Sequence, residues 1–168
     1  MSAEAAHRFG VNELLFLDTE WANDRRDLVS LALVNVDGSR VLYLERDPLP
    51  SQPSAFVLSV VYPLLDRSSA LPDHQFTDTL RAYVAASGVP HIHFDSQWDK
   101  VLLGQALSEW GRNLTGIPEF VSVLIERNDV RDEVEVYFKN NPEALARRHH
   151  ALVDAEALRH AFVEVVDP

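Results

Sequence analysis

The 168-residue chain contains no cysteine. That absence excludes disulfides, thiolate zinc sites and a cysteine nucleophile, and it leaves carboxylates and histidines as the available metal ligands. Long apolar runs are also missing. The most apolar stretch, residues 55–65, is broken by Ser59 and Pro63 and falls short of the roughly 20 residues that span a bilayer. Residues 1–11 lack the basic flank and apolar stretch of a secretion signal, so residues 1–10 are read as a flexible tail on a soluble, cytoplasmic protein. Basic residues are scarce, 15 Lys and Arg against 26 Asp and Glu, for a net charge of −11. A protein that coats nucleic acid by neutralising phosphates needs the opposite balance. That deficit does not exclude a site that meets phosphate through bound metal ions. With only 6 Gly and 9 Pro the composition is that of an ordered globular protein, of a length that buries one core without staples.

What is present reads as alternating elements. Residues 11–17 end in the continuous apolar run Leu14-Leu15-Phe16-Leu17, as expected of a central strand covered on both faces. Two further apolar runs, 28–36 and 41–45, flank Asp37-Gly38-Ser39, a hairpin signal. Helical periodicity marks residues 53–66 and 73–87, with Ser54 and Asp73 as N-caps and Gly88 as a stop. A strand over 89–94, a helix spanning Trp98 to Trp110, a strand over 120–125 and helices over 129–140 and 151–166 complete the order. Asn141-Pro142 and a basic turn separate the last two helices. The expected fold is α/β: a five-stranded mixed sheet, three antiparallel strands then two parallel ones beside the first, flanked by helices in a ribonuclease H-like arrangement. No repeat or linker divides the chain, which is read as one domain over 1–168.

Certain carboxylates stand where ordinary folding does not ask for them. Asp18 and Glu20 lie two residues apart as the first strand emerges, so both side chains point the same way. Like charges held together raise each other's pKa unless a cation lies between them; the plain alternative is a solvated acidic loop. Asp99 shares the apolar face of its helix with Leu102 and Leu103, and Asp154 lies in the stripe of Ala151, Ala155, Leu158 and Phe162. A buried unpaired carboxylate is costly, and pairing with Arg or His as structural glue is the competing account. Asp95 precedes its helix and reads as an N-cap before it reads as a ligand, with Ser96 able to serve equally. His91 and His93 read as partly buried strand histidines. His149 stands five residues before Asp154, within reach of it and able to act as a base near neutral pH. Arg147-Arg148-His149-His150 is either a solvated basic turn or the place where a phosphate sits.

These residues form three motifs: Phe16-Leu17-Asp18-Thr19-Glu20-Trp21; His93-Phe94-Asp95-Ser96-Gln97-Trp98-Asp99-Lys100-Val101-Leu102-Leu103; and His149-His150-Ala151-Leu152-Val153-Asp154-Ala155. In that order the chain resembles the DEDD superfamily of 3′-to-5′ exonucleases, DEDDh subgroup, and in style the compact bacterial exoribonucleases. The second motif departs from the pattern, because Asp95 stands where asparagine is usual. The resemblance implies a single exonuclease domain with two Mg²⁺ or Mn²⁺ ions. Asp18, Glu20 and Asp154 would hold one ion, Asp18 would bridge to the second, and Asp99 would reach it through water. His149 would be the base, with His150 as the fallback. Thr19 and Trp21 would contact the terminal nucleotide, although Trp21 is equally readable as core. The implied substrate is single-stranded or short nucleic acid, RNA favoured over DNA, shortened to nucleoside 5′-monophosphates. Such relatives are often homodimers, but the stripe of Val130, Val134, Tyr137 and Phe138 reads as core before interface. The competing class is a binding domain without catalysis on the same fold; its mark would be a lost carboxylate or histidine, and all five residues are present.

Overall fold

The computed structural model of the protein describes residues 13–23 and 27–166. The tail expected at 1–10 and the start of the first strand at Val11 lie outside the described residues. The apolar run forms β1 (Leu14–Trp21), and the next forms β2 (Leu28–Asn35), whose eight residues are all buried. After the Asp37-Gly38-Ser39 turn comes β3 (Val41–Arg46). Gly38 has φ +73°, a conformation open to glycine at no steric cost, and the Ser39 amide donates to Asp37 Oδ1 at 2.8 Å. The three strands form the expected antiparallel meander.

The sheet has six strands, not five. The additional one, β4 (Ala70–Leu71), lies parallel beside β3. Two residues carry no readable period, and β4 exists because of what precedes it. Glu45, fully buried, accepts hydrogen bonds from the backbone amides of Asp66 and Arg67 and from the Tyr43 hydroxyl, which folds the 65–69 turn against β3. Then come α1 (Asp73–Ala86), β5 (His91–Phe94), α2 (Gln97–Leu107), β6 (Val121–Leu124), α3 (Asn128–Asn140), the single turn α4 (Pro142–Leu145) and α5 (Ala151–Val166). The strand order is β4-β3-β2-β1-β5-β6, with β5 parallel to β1 and β6 parallel to β5. This is a mixed α/β sheet flanked by helices.

Strand alternation sorts the core. Leu15, Leu17, Leu31 and Leu33 pack one sheet face against Phe76, Leu80 and Val84 of α1 and Leu102, Leu103 and Ala106 of α2. On the other face Leu14 and Phe16 meet Val130 of α3 and Leu158 and Ala161 of α5, while Ala32 and Val34 meet Ala151 and Ala155. The stripe on α3 is therefore core: Val130 and Phe138 are buried, and Val134 and Tyr137 pack beside them against α5. His93 is buried between Phe16 and Phe162.

Other local expectations change. The segment read as a helix over 53–66 forms a π-turn (Val57–Val61) and a 3₁₀ turn (Tyr62–Leu64). Pro63 cannot continue an α-helix, because it lacks an amide hydrogen and its ring crowds the carbonyl four residues back. Ser54 still accepts from the Val57 amide, as a cap. Asp73 does not cap α1; Pro72 occupies that position, and the Asp73 carboxylate pairs with Arg46 and Arg112. The helix expected to reach Trp110 stops at Leu107, beyond which Glu109, Trp110 and Gly111 take positive φ. Trp110 turns back onto Phe76 and beneath the Arg46 guanidinium.

Leu33→Ala, at a fully buried position of β2, is expected to destabilise the fold by about 2–5 kcal/mol. Leu58→Ala, at a side chain 60% exposed, is expected to change it by no more than about 0.5 kcal/mol. Urea unfolding of the two variants measures both.

Candidate active site

β5 pairs with β1 along Leu14–Phe16, opposite His91–His93, whereas β1 continues to Trp21 with β2 as its only partner among the described residues. The first motif's acids thus lie within the strand and not where it emerges, Asp18 opposite Ala32 and Glu20 opposite Ser30. A register shift between Glu20 and Trp21 bends the chain there, as a bulge does. Beyond the end of β5 a crevice opens beside β1, at the point where the chain has run outward through β2 to β4 and returned to the other side. Crevices at such switch points, at the carboxyl ends of parallel strands, are the usual ligand sites of α/β sheets.

The crevice here is a cleft of about 390 Å³ lined by Asp18, Thr19, Glu20, Trp21, Asn23, Ser54, Phe56, Val57, Asp95, Ser96, Asp99, His149 and Asp154. The residues that the three motifs offered for metal and nucleotide contact line it, as does His149, whereas the fallback base His150 does not. Asp18 and Glu20 come from β1. Asp99 comes from the first turn of α2, where the positive end of the helix favours a carboxylate. Asp154 comes from the first turn of α5, packed across the opposite sheet face.

Each of the helix-borne acids has one oxygen held and one left over. Thr19, which alternation places on the sheet face opposite to Asp18 and Glu20, donates from Oγ1 to Asp99 Oδ1 at 2.6 Å. The His149 amide donates to Asp154 Oδ2 at 3.0 Å. Asp99 Oδ2, Asp154 Oδ1 and Asp18 Oδ2 are buried with no hydrogen-bond partner. Buried polar atoms are ordinarily satisfied, and three orphaned carboxylate oxygens in one cleft are of the kind that could hold a hard divalent cation. Ligand atoms of Glu20, His149 and Asp154 lie within 4.8 Å of one another, and so do those of Asp18, Asp95 and Asp99. The residues present therefore fit Mg²⁺ or Mn²⁺.

The electrostatics of the protein alone agree. Burial, then the charges of Asp99, Asp154, Glu20 and Asp95, push the Asp18 carboxyl well above its ordinary range. Burial and its acidic neighbours push Glu20 up to about 9. Asp99 rises to about 7 and Asp154 to about 6, chiefly by burial and against the hydrogen bonds that each accepts.

His149 and His150 separate cleanly. His149 lines the cleft with its ring edge-on to Phe56, centroids 5.0 Å apart, and its φ of +75° is a left-handed conformation uncommon outside glycine. Burial and the Arg148 charge hold its imidazole below the ordinary value. His150 is buried away from the cleft, stacked on Tyr43 with its Nε2 3.7 Å from Asp66. The arginines of the basic turn are committed to surface acids, Arg148 to both oxygens of Glu135 and Arg147 to Asp66. The turn clamps the start of α5.

Two residues carry more of the site than their sequence positions suggested. Asp95 does not cap α2; Ser96 does, accepting from the Trp98 amide at 3.2 Å, and Asp95 joins the acids of the cleft. Phe56, 49% exposed on the cleft wall, had no signal beyond belonging to an apolar segment. Trp21 has both of its expected characters, packing on the core and lining the cleft. Compared with known proteins, the chain matches no family model and no curated sequence.

The sign of the pH dependence follows. A carboxyl whose pKa is raised by folding stabilises the fold while protonated, and that contribution is lost as pH rises through its folded-state value. In chelator the melting temperature is expected to decline between about pH 5 and pH 9, through the folded-state values of Asp154, Asp99 and Glu20. Added Mg²⁺ is expected to raise it more at pH 8 than at pH 5, and Glu20→Gln is expected to flatten the decline. Thermal melts across that pH series, with and without Mg²⁺, check all three.

Proposed function

We propose that the chain is a metal-dependent 3′-to-5′ exonuclease of the DEDDh kind, on a ribonuclease H-like variant of the mixed sheet. It would shorten single-stranded or short nucleic acid, RNA in preference to DNA, to nucleoside 5′-monophosphates. The observation that carries this reading is that Asp18, Glu20, Asp99, Asp154 and His149, drawn from β1, α2, α5 and the turn before α5, meet in one cleft with buried carboxylate oxygens that no donor satisfies.

Asp18, Glu20 and Asp154 would hold one divalent cation, and Asp18 with Asp99 a second. When bound, such a pair supplies charge neutralisation for the attacking and leaving oxygens and a more acidic water. Thr19 keeps Asp99 in place through its hydroxyl, and the backbone of His149 does the same for Asp154. His149, with its imidazole held neutral at working pH by burial and by Arg148, accepts a proton from the water on an unprotonated ring nitrogen. Oxygen of that water joins phosphorus while the bond from phosphorus to the 3′ oxygen of the preceding nucleotide breaks, which releases the 5′-monophosphate. The cleft has the volume of a small-ligand site. The faces of Trp21 and Phe56 on its wall offer surfaces for the terminal base. The −11 charge opposes broad backbone contact and favours short substrates.

End-labelled RNA and DNA oligomers of matched sequence, incubated with and without Mg²⁺ and resolved at single-nucleotide length, test the reading. A Mg²⁺-dependent ladder from the 3′ end is expected, faster on RNA. Asp18→Asn and Asp154→Asn are expected to lower turnover at least about 100-fold, the upper end of what disrupting a metal's surroundings costs. His149→Ala is expected to keep metal binding and lose about 10²-fold or more in turnover. His150→Ala is expected to lower stability and leave turnover near wild type. Full activity in Asp18→Asn or Asp154→Asn overturns the proposal.

A further inference from the structure

The ligand geometry divides the cleft into two groups of three, Glu20 with His149 and Asp154, and Asp18 with Asp95 and Asp99. The function proposed above uses only two members of the second group. Asp95 follows the last residue of β5, and because β5 is parallel to β1 and stops short of it, the chain leaves the sheet there beside Asp18. Helix capping does not occupy Asp95, since Ser96 performs it. Among the described residues no Lys or Arg stands within ion-pair distance of Asp95; Arg131 on α3 acts on it only through space.

The surroundings of Asp95 point to a ligand independently of its charge. Asp99 is only 1% exposed, with Oδ1 bonded to Thr19 and Oδ2 without any donor, and Asp18 Oδ2 is buried in the same condition. Three carboxylates converge with two orphaned, buried oxygens between them. A water has two donors and could satisfy both oxygens, but it is neutral and leaves three carboxylates repelling one another, whereas a cation offsets all three at once, and oxygen-only groups of this type suit Mg²⁺ and Mn²⁺.

We infer that Asp95 is a direct ligand of the second divalent cation, which Asp18, Asp95 and Asp99 hold together as a three-carboxylate site. This rests on the nuclease reading above and changes its second site. An ion held through Asp18 alone and water-bridged to Asp99 would be completed by the substrate's phosphate. One held by three carboxylates stays in place without substrate. The chain therefore binds both cations before nucleic acid arrives.

The test is calorimetric titration of the full chain with Mn²⁺ in the absence of nucleic acid, accompanied by electron paramagnetic resonance to detect coupling between two close Mn²⁺ ions. The wild type is expected to bind two ions and show the coupling. Asp95→Asn keeps the side chain's size; it is expected to weaken one ion at least about tenfold, leave the other within twofold, and abolish the coupling at subsaturating Mn²⁺. Asp99→Asn is expected to weaken the same ion, and Asp154→Asn the other. Because Asp95→Asn removes repulsion, its melting temperature in chelator is expected to equal or exceed that of wild type, which separates a lost ligand from a damaged fold. Two ions bound by Asp95→Asn with unchanged affinities, or both weakened equally, would overturn the inference while leaving the nuclease reading intact. A wild type that binds one ion without substrate overturns it as well, and a wild type that binds none removes both readings together.

Discussion

Repulsion among buried carboxylates is the constraint around which this molecule is arranged. Five acids, Asp18, Glu20, Asp95, Asp99 and Asp154, face one cleft, and among the described residues no Lys or Arg lines it. In water such charges cost little at this spacing, but a partly desolvated cleft magnifies their interaction. Burial, with the neighbouring charges, raises Glu20 and Asp99 above the ordinary carboxylate range, so the protein alone holds protons there. On the proposed reading such a cleft would exchange protons for divalent cations, and that exchange would turn an electrostatic liability into a phosphate-binding surface.

The rest of the fold makes that arrangement affordable. Leucines on one sheet face, and Val130 of α3 with Leu158 and Ala161 of α5 on the other, bury β1 on both sides, so the strand cannot move to separate its acids. Small residues matter on α5: Ala151 and Ala155 lie flat against Ala32 and Val34, bringing the helix close enough for Asp154 to reach the strand. Fixing hydrogen bonds then come from unexpected directions. Thr19 reaches across to α2, and the left-handed His149 turns its own amide toward Asp154. Strained backbone that persists only because its surroundings hold it is common where geometry must serve chemistry, and at His149 it sets both an amide and a ring toward the cleft.

Much of this was legible because it is local. The run from Leu14 to Leu17 announced a buried strand, Asp37-Gly38 announced a turn, and the stripes on α3 and α5 announced which faces are covered. Each signal depends only on residues within a few positions. The misreadings share the opposite character. Asp73 looked like a cap and is instead the partner of two arginines, 27 and 39 residues away in the chain. Asp95 looked like a cap and is instead a neighbour of Asp18. β4 was invisible because two residues carry no periodicity, and it forms only where Glu45 gathers the amides of the preceding turn.

From the sequence alone came the inventory and its periodicity: no thiols, carboxylates and histidines as the available ligands, Asp18 and Glu20 on one side of a strand, Asp99 and Asp154 on buried helix faces. These follow from residue type and from the fixed repeats of strand and helix, which act over one or two turns. Only the tertiary structure decided that β5 ends short of β1, that Asp95 enters the cleft while Ser96 caps, and that His149 faces the acids while His150 turns to Tyr43. Those outcomes depend on how far neighbouring strands overlap and how closely helices pack, which are properties of the assembled core and of no single segment.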